Sequence, residues 1–390
     1  MRKRSQHRNR NKRLRRWHRI LAAGGILSFF VLLAASVYFY GQRKDAENTA
    51  RERLLGENVV REGIGEENLV GEDIAEEDIV GEDAAGENFA EEDIAAENFP
   101  ENFFQEKTVE YGGKRYRRSS NVKAILCIGV DREGKMEEKT PFTMGGQADG
   151  IYVIAQDTAR NTLKFLIVPR DSMTEIILTD VSGNVLGKDI QHLNLAYAYG
   201  DGRELSCARV GEALSGMLYG FSFEHYVAAD VDIINLVNQQ VGGVTVTVPE
   251  GMEKTNPAFV EGARIRLEGE QAEAFVRYRD IEEEHSAVYR LDRQKEFMIH
   301  FQDALQEKAG ENGNIVVEIL EEIEDYMVTD MEKDEYLKLA IDAVGAEDLD
   351  EKDFYILPGQ SVVGEVYNEF YPDRKAIVPI LLELFYREAA

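Results

Sequence analysis

The chain has 390 residues, 44% of them hydrophobic, which is room for one large domain or two small ones, and a formal net charge of −28. Residues 2–19 hold ten Lys and Arg and no acid, so subtracting those ten leaves −38 on the rest of the chain. A body that acidic lacks the basic face with which general nucleic-acid binders neutralise phosphates, and two cysteines, Cys127 and Cys207, both in apolar runs, argue against a disulfide framework or a zinc site and read as small core residues.

The basic arm, residues 1–19, runs straight into Ile20–Tyr40, 21 residues without a charge. At about 1.5 Å per residue this spans the ~30 Å hydrocarbon core. Trp17 flanks one end and Tyr38 and Tyr40 the other, as interfacial rings do. A cleaved signal peptide has an apolar region of roughly 7–15 residues before a small-residue site. Here the run is longer and ends Val37-Tyr38-Phe39-Tyr40, so an uncleaved anchor is expected. The positive-inside rule places the arm in the cytoplasm and everything after Gly41 outside the cell membrane.

Residues 41–120 read as an acidic extracytoplasmic linker. Within it, residues 56–100 repeat with period five in the pattern x-Glu-Asn/Asp-apolar-x. A pentapeptide β-helix would bury a column of those glutamates, which is prohibitive. A period of five also fits no single helix face, so a solvated, self-repelling spacer is expected, with a reach of roughly 45 Å or more.

A globular domain is expected over residues 121–390. AILCIGV (124–130), IYVIAQ (151–156) and LKFLIV (163–168) are short, apolar and nearly continuous, as strands buried on both faces are. VTVTV (244–248) reads as a further strand and Phe354-Tyr-Ile-Leu-Pro as an edge strand, with helices over 204–219, 231–241 and 288–309. The fold class is then α/β, a three-layer α/β/α sandwich with a central mixed sheet. Polar residues cluster at the strand ends: Asp131 and Arg132 after the first, Asp149 before the second, and Arg170 and Asp171 after the third. Were AFVRYR (274–279) a strand, Arg277 and Arg279 would share one face and call for an anion between them; in a helix they would diverge. Such arginines also serve as plain surface ion pairs with the abundant acids.

Seven segments, GVDR, an acidic residue before the second strand, VPRDS, HLNLAYAYGD, GGVTVTVP, LEGEQAEAFVRYRD and RLDRQ, occur in the order seen in the LytR-CpsA-Psr family, which the chain resembles from about Ala124 to Phe297. The resemblance implies a Mg²⁺-dependent phosphotransferase of Gram-positive envelopes. It would move an anionic glycopolymer, such as teichoic acid or capsule, from a polyprenyl-pyrophosphate carrier onto peptidoglycan. It also implies that Arg170, Arg277 and Arg279 hold the pyrophosphate, that Asp131 and Asp149 hold Mg²⁺, and that Gln294, Arg290 and Arg293 lie near the phosphates, either arginine alternatively capping or pairing on its helix. The polyprenyl tail would occupy an apolar tunnel in the sandwich. Arg170, Arg277, Arg279 and Asp149 would carry the catalysis, with Asp171 orienting Arg170.

Two departures set this chain apart. The family's Arg-Ser-Asp-Thr before the second strand is Gln147-Ala148-Asp149-Gly150 here, and an Asp that would activate the acceptor hydroxyl is Ala287. Asp280, Glu282, Glu283, Glu284 or His285 would have to substitute as base. The alternative is a degenerate relative that binds polyprenyl-phosphate lipids without transfer. A transcriptional regulator is a third reading, and the outward orientation of the body argues against it.

Overall fold

The computed structural model describes residues 99–137, 139–278, 286–364 and 368–389; the side chains of 286–288 and of 363 are not part of that description. The expected arm, span and repeat linker lie outside the described residues. Among the described residues no helix is long and apolar enough to cross a membrane.

In chain order the strands are β1 (Thr108–Tyr111), β2 (Lys114–Arg118), β3 (Val122–Val130), β4 (Ala148–Asp157), β5 (Thr162–Val168), β6 (Met173–Thr179), β7 (Val185–His192), β8 (His225–Asp230), β9 (Thr245–Thr247), β10 (Arg264–Arg266), β11 (Met327–Thr329), β12 (Phe354–Ile356), β13 (Gly359–Val363), β14 (Asn368–Pro372) and β15 (Tyr386–Glu388). The α-helices are α1 (Leu195–Ala198), α2 (Glu204–Met217), α3 (Ile233–Gln240), α4 (Gln271–Arg277), α5 (Ser286–Glu311), α6 (Ile315–Ile323), α7 (Lys333–Val344) and α8 (Ile377–Phe385).

The central sheet has the order β11-β8-β3-β4-β5-β12. It is mixed: β3 runs parallel to β8 and β12 to β5, while β4 is antiparallel to both β3 and β5. All ten residues of β4 are buried, as are all but Lys123 of β3, so continuous apolar runs mark strands covered on both faces. Ile125, Cys127, Tyr152, Ile154 and Phe165 join the core under α3 to α7, and α2 and α8 cover the opposite face. The expected α/β architecture with a central mixed sheet is what forms, and Cys127 and Cys207 are both buried and unpaired.

Three expectations need correction. Folded structure begins well before residue 121: Phe103, Phe104 and Val109 are buried, and β1 and β2 form a three-stranded sheet with β15, so the acidic spacer ends before these apolar anchors. VTVTV contributes only Thr245–Thr247, paired with β10 apart from the main sheet. AFVRYR is no strand: α4 runs to Arg277, because Gln, Ala and Glu favour helix and Ala272, Phe275 and Val276 recur on one buried face at helical spacing.

Candidate functional site

Because β3, β5 and β8 run one way and β4 the other, the carboxyl ends of three strands meet the amino end of the fourth at one edge of the sheet. That edge is where mixed and parallel sheets place ligands. It gathers Asp131 just after β3, Asp149 within β4 and Arg170 just after β5.

Asp149 lies inside β4 rather than before it. Gly129 pairs with Gly150 and Val130 with Ala148, so Asp149 is the extra residue of a bulge. Bulges re-aim a side chain beside functional sites. Its Oδ1 accepts from Arg170 Nη1 at 2.6 Å, with both side chains withdrawn from solvent. Its Oδ2 is buried without a hydrogen-bond partner. Burial pushes the Asp149 carboxyl far up, Arg170 opposes that, and Asp131 reinforces it. Burial likewise raises Asp131 to about 7, against a hydrogen bond from Gln147 N and the fields of Arg170 and Arg277. Asp131, Asp149, Arg170 and Arg277 thus share one electrostatic neighbourhood.

Arg170 is held from several sides. Asp171 Oδ1 lies 3.4 Å from its Nε. Asn194 N donates to Arg170 O at 3.1 Å, and Phe370 N of β14 donates to Asp171 O at 2.9 Å. The C-terminal hairpin, which offers no chemistry of its own, therefore buttresses the turn that carries the arginine.

Arg277 ends α4 with Nη1 on Glu273 Oε1, one helical turn back. Glu273 is itself fixed, Oε2 accepting from Asn235 Nδ2 at 2.8 Å and its N–H donating to Asn235 Oδ1 at 3.1 Å. Arg277 Nε is buried without a hydrogen-bond partner. Arg293 donates to the carbonyls of Phe275 and Tyr278, so it caps the end of α4 rather than reaching for phosphate. Gln294 Oε1 accepts from Tyr152 OH at 3.1 Å, tying α5 to β4. Burial raises the Tyr152 phenol and the charge of Arg290 opposes this, which puts buried Arg290 beside the same pair. Arg279 and residues 280–285 lie outside the described residues, as does the side chain of Ala287.

Other participants are silent in the sequence because they lack a charge. Asn194 bridges the site through its backbone to Ala148 and Arg170 and through Nδ2 to Gln147 Oε1 at 3.0 Å. Gly146, at φ 86°, is needed for closeness: a Cβ there would stand 2.7 Å from Asp131 Oδ1. His192 sits near Arg170, its pKa lowered first by burial and also by that charge.

The family model described as the LytR_cpsA_psr family matches residues 88–377. The chain belongs to the LytR-CpsA-Psr family. Among curated relatives it is 30% identical over 167 residues to the polyisoprenyl-teichoic acid–peptidoglycan teichoic acid transferase TagU of Bacillus cereus, 43% of this chain and 47% of that one. It is 26% identical over 216 residues to TagV of Bacillus subtilis, named for the same transfer, 51% of this chain and 50% of that one. The matched segments span about half the length of these relatives. A solved structure from Streptococcus agalactiae superposes with TM-score 0.53 at 19% identity, covering 68% of this chain and 87% of that one. TagT bound to LI-WTA superposes with TM-score 0.50 at 17% identity, covering 68% and 90%. These two likenesses are of fold alone.

Proposed function

We propose that this LytR-CpsA-Psr protein is a Mg²⁺-dependent phosphotransferase. It moves an anionic glycopolymer from a polyprenyl-pyrophosphate carrier to peptidoglycan, from a site held outside the cell membrane by the Ile20–Tyr40 span. The observation that carries the reading is the convergence of Arg170 and Arg277 with Asp131 and Asp149 at one sheet edge, with Arg277 Nε and Asp149 Oδ2 both left without hydrogen-bond partners. Buried polar atoms are ordinarily satisfied, so these two ask for an anion and a cation.

A hard divalent cation fits the donor set. Two carboxylates that burial pushes toward protonation would be stabilised as anions by it, with phosphate and water oxygens completing its shell. When bound, Mg²⁺ would supply charge neutralisation for phosphoryl transfer. Arg170 and Arg277, with Arg279 beyond the described residues, would clamp the pyrophosphate through their planar donors. Asp149 would hold Arg170 in register, and Asp171 would do the same from its other side. The acceptor hydroxyl attacks the sugar-linked phosphorus and polyprenyl phosphate departs as that phosphorus–oxygen bond breaks. The acceptor proton needs a base from residues 280–285.

One observation favours binding without transfer. The Gln147 side chain accepts from Asn194, so at the position of the family's arginine the amide is spent internally and restores no cation. Retention of a polyprenyl-pyrophosphate glycan on the full-length protein, compared with Arg277→Ala, tests the clamp that both readings share. Equal retention by the two proteins would exclude this clamp.

A further inference from the structure

Half of the ten large apolar side chains exposed among the described residues lie in one place. Val181, Val185, Leu186 and Ile190 sit on the β6–β7 hairpin and Met144 on the loop against it, all between 61% and 73% exposed. The two segments touch. A side chain at Gly183, in the hairpin turn, would strike the Phe142 ring at 2.6 Å. β7 is exposed from Val185 to Ile190, and β6 is its one sheet neighbour. Contiguous exposed apolar groups of this kind mark contact surfaces.

Their position relative to the site is specific. β7 leads directly into His192, Leu193 and Asn194, and Met144 stands three residues before Gln147, so both segments end at the arginine–carboxylate cluster. The polar groups of the hairpin are engaged locally. Asp180 accepts from Ser182 N, Asn184 N and Asn184 Nδ2, Lys188 pairs with Glu175, and Asp189 accepts from Ile190 N and Gln191 Nε2. What the hairpin has left to offer a partner is hydrocarbon.

We infer that this rim is a membrane-contact surface that beds into the headgroup and upper acyl region of the bilayer beside the site. The inference rests on the reading of the donor as lipid-linked: a pyrophosphate at the bilayer surface then meets the arginines while its tail stays in lipid. The chain's own apolar run, Ile20–Tyr40, supplies the tether that keeps the rim at a bilayer. Contact made by apolar area rather than charge persists at high salt.

The test is depth-dependent quenching on the full-length protein in phosphatidylcholine–phosphatidylglycerol vesicles. Cys127 and Cys207 are buried, so an environment-sensitive fluorophore can be placed through Leu186→Cys, Met144→Cys and, as a distant exposed reference, Val260→Cys. The expected result is a blue shift and loss of most emission at 186 and 144 when the vesicles carry a quencher in the upper acyl chain, at low and high salt alike, with 260 unchanged. Emission at 186 and 144 as unquenched as at 260, or a 186–186 crosslink between copies that protects the probe, would overturn the inference. Neither readout uses transfer, so the inference can fail while the proposed activity stands, or stand while it fails.

Discussion

Arg170 donates to Asp149 across 2.6 Å with both side chains out of solvent, so neither charge can be removed without stranding the other. Breaking such a pair costs about 3–5 kcal/mol, whereas replacing both partners with apolar groups is often near neutral. Arg170→Ala and Asp149→Ala should each destabilise by about that amount. The double variant Arg170→Met/Asp149→Leu should recover most of it while remaining unable to retain the lipid-linked donor. Urea denaturation of the three variants checks the energetics.

Glu273 is a positioning residue for Arg277, itself braced by Asn235. Glu273→Ala should leave the fold intact but let the guanidinium wander, lowering kcat/KM by on the order of 10–100-fold. Asn235→Ala should do the same more weakly, and Glu273→Gln should restore part of the loss, since its Oε1 still accepts. Steady-state kinetics on this series separate positioning from a purely structural role, in which melting temperature would fall in parallel with rate.

Asp230, at the end of β8, is fully buried and burial raises it to about 8, with Asp232 adding to the rise. The folded protein therefore keeps this carboxyl protonated where the unfolded chain has lost the proton. Unfolding then releases a proton between about pH 4 and pH 8, so the group's contribution to stability falls across that window and levels above it. Asp230→Asn keeps the acceptor for Asp232 N and cannot ionise. The variant should match wild type at pH 4 to 5 and be the more stable by pH 8, which denaturation at stepped pH would show.

Gly146→Ala would place a methyl 2.7 Å from Asp131 Oδ1 and 2.9 Å from Val130 Cγ1, at a φ of 86° that side chains rarely adopt. A loss of about 1–3 kcal/mol is expected. Displacement of Asp131 should also weaken Mg²⁺ binding, read by calorimetry against wild type.

The central strands were legible because burial on both faces erases alternation: AILCIGV, IYVIAQ and LKFLIV lie within β3, β4 and β5. The site's charged members were legible for a related reason, since Asp131, Asp149 and Arg170 punctuate otherwise apolar runs. AFVRYR misled because its two arginines carry an alternation that packing overrides in favour of helix. Arg293 looked like a ligand by spacing, but only the structure shows its donors turned to the α4 carbonyls. Asn194 and Gly146 left no signal, because an amide's partners and a glycine's neighbours come from distant parts of the chain.

The most direct test is transfer itself. Full-length protein in vesicles with Mg²⁺, a polyprenyl-pyrophosphate glycan and a peptidoglycan oligomer should yield phosphodiester-linked product. That product should be lost with Arg277→Ala, with Asp149→Ala and with chelator. Retention of the donor by wild type with no product under any condition would contradict the transferase reading and leave a lipid-binding relative of the family.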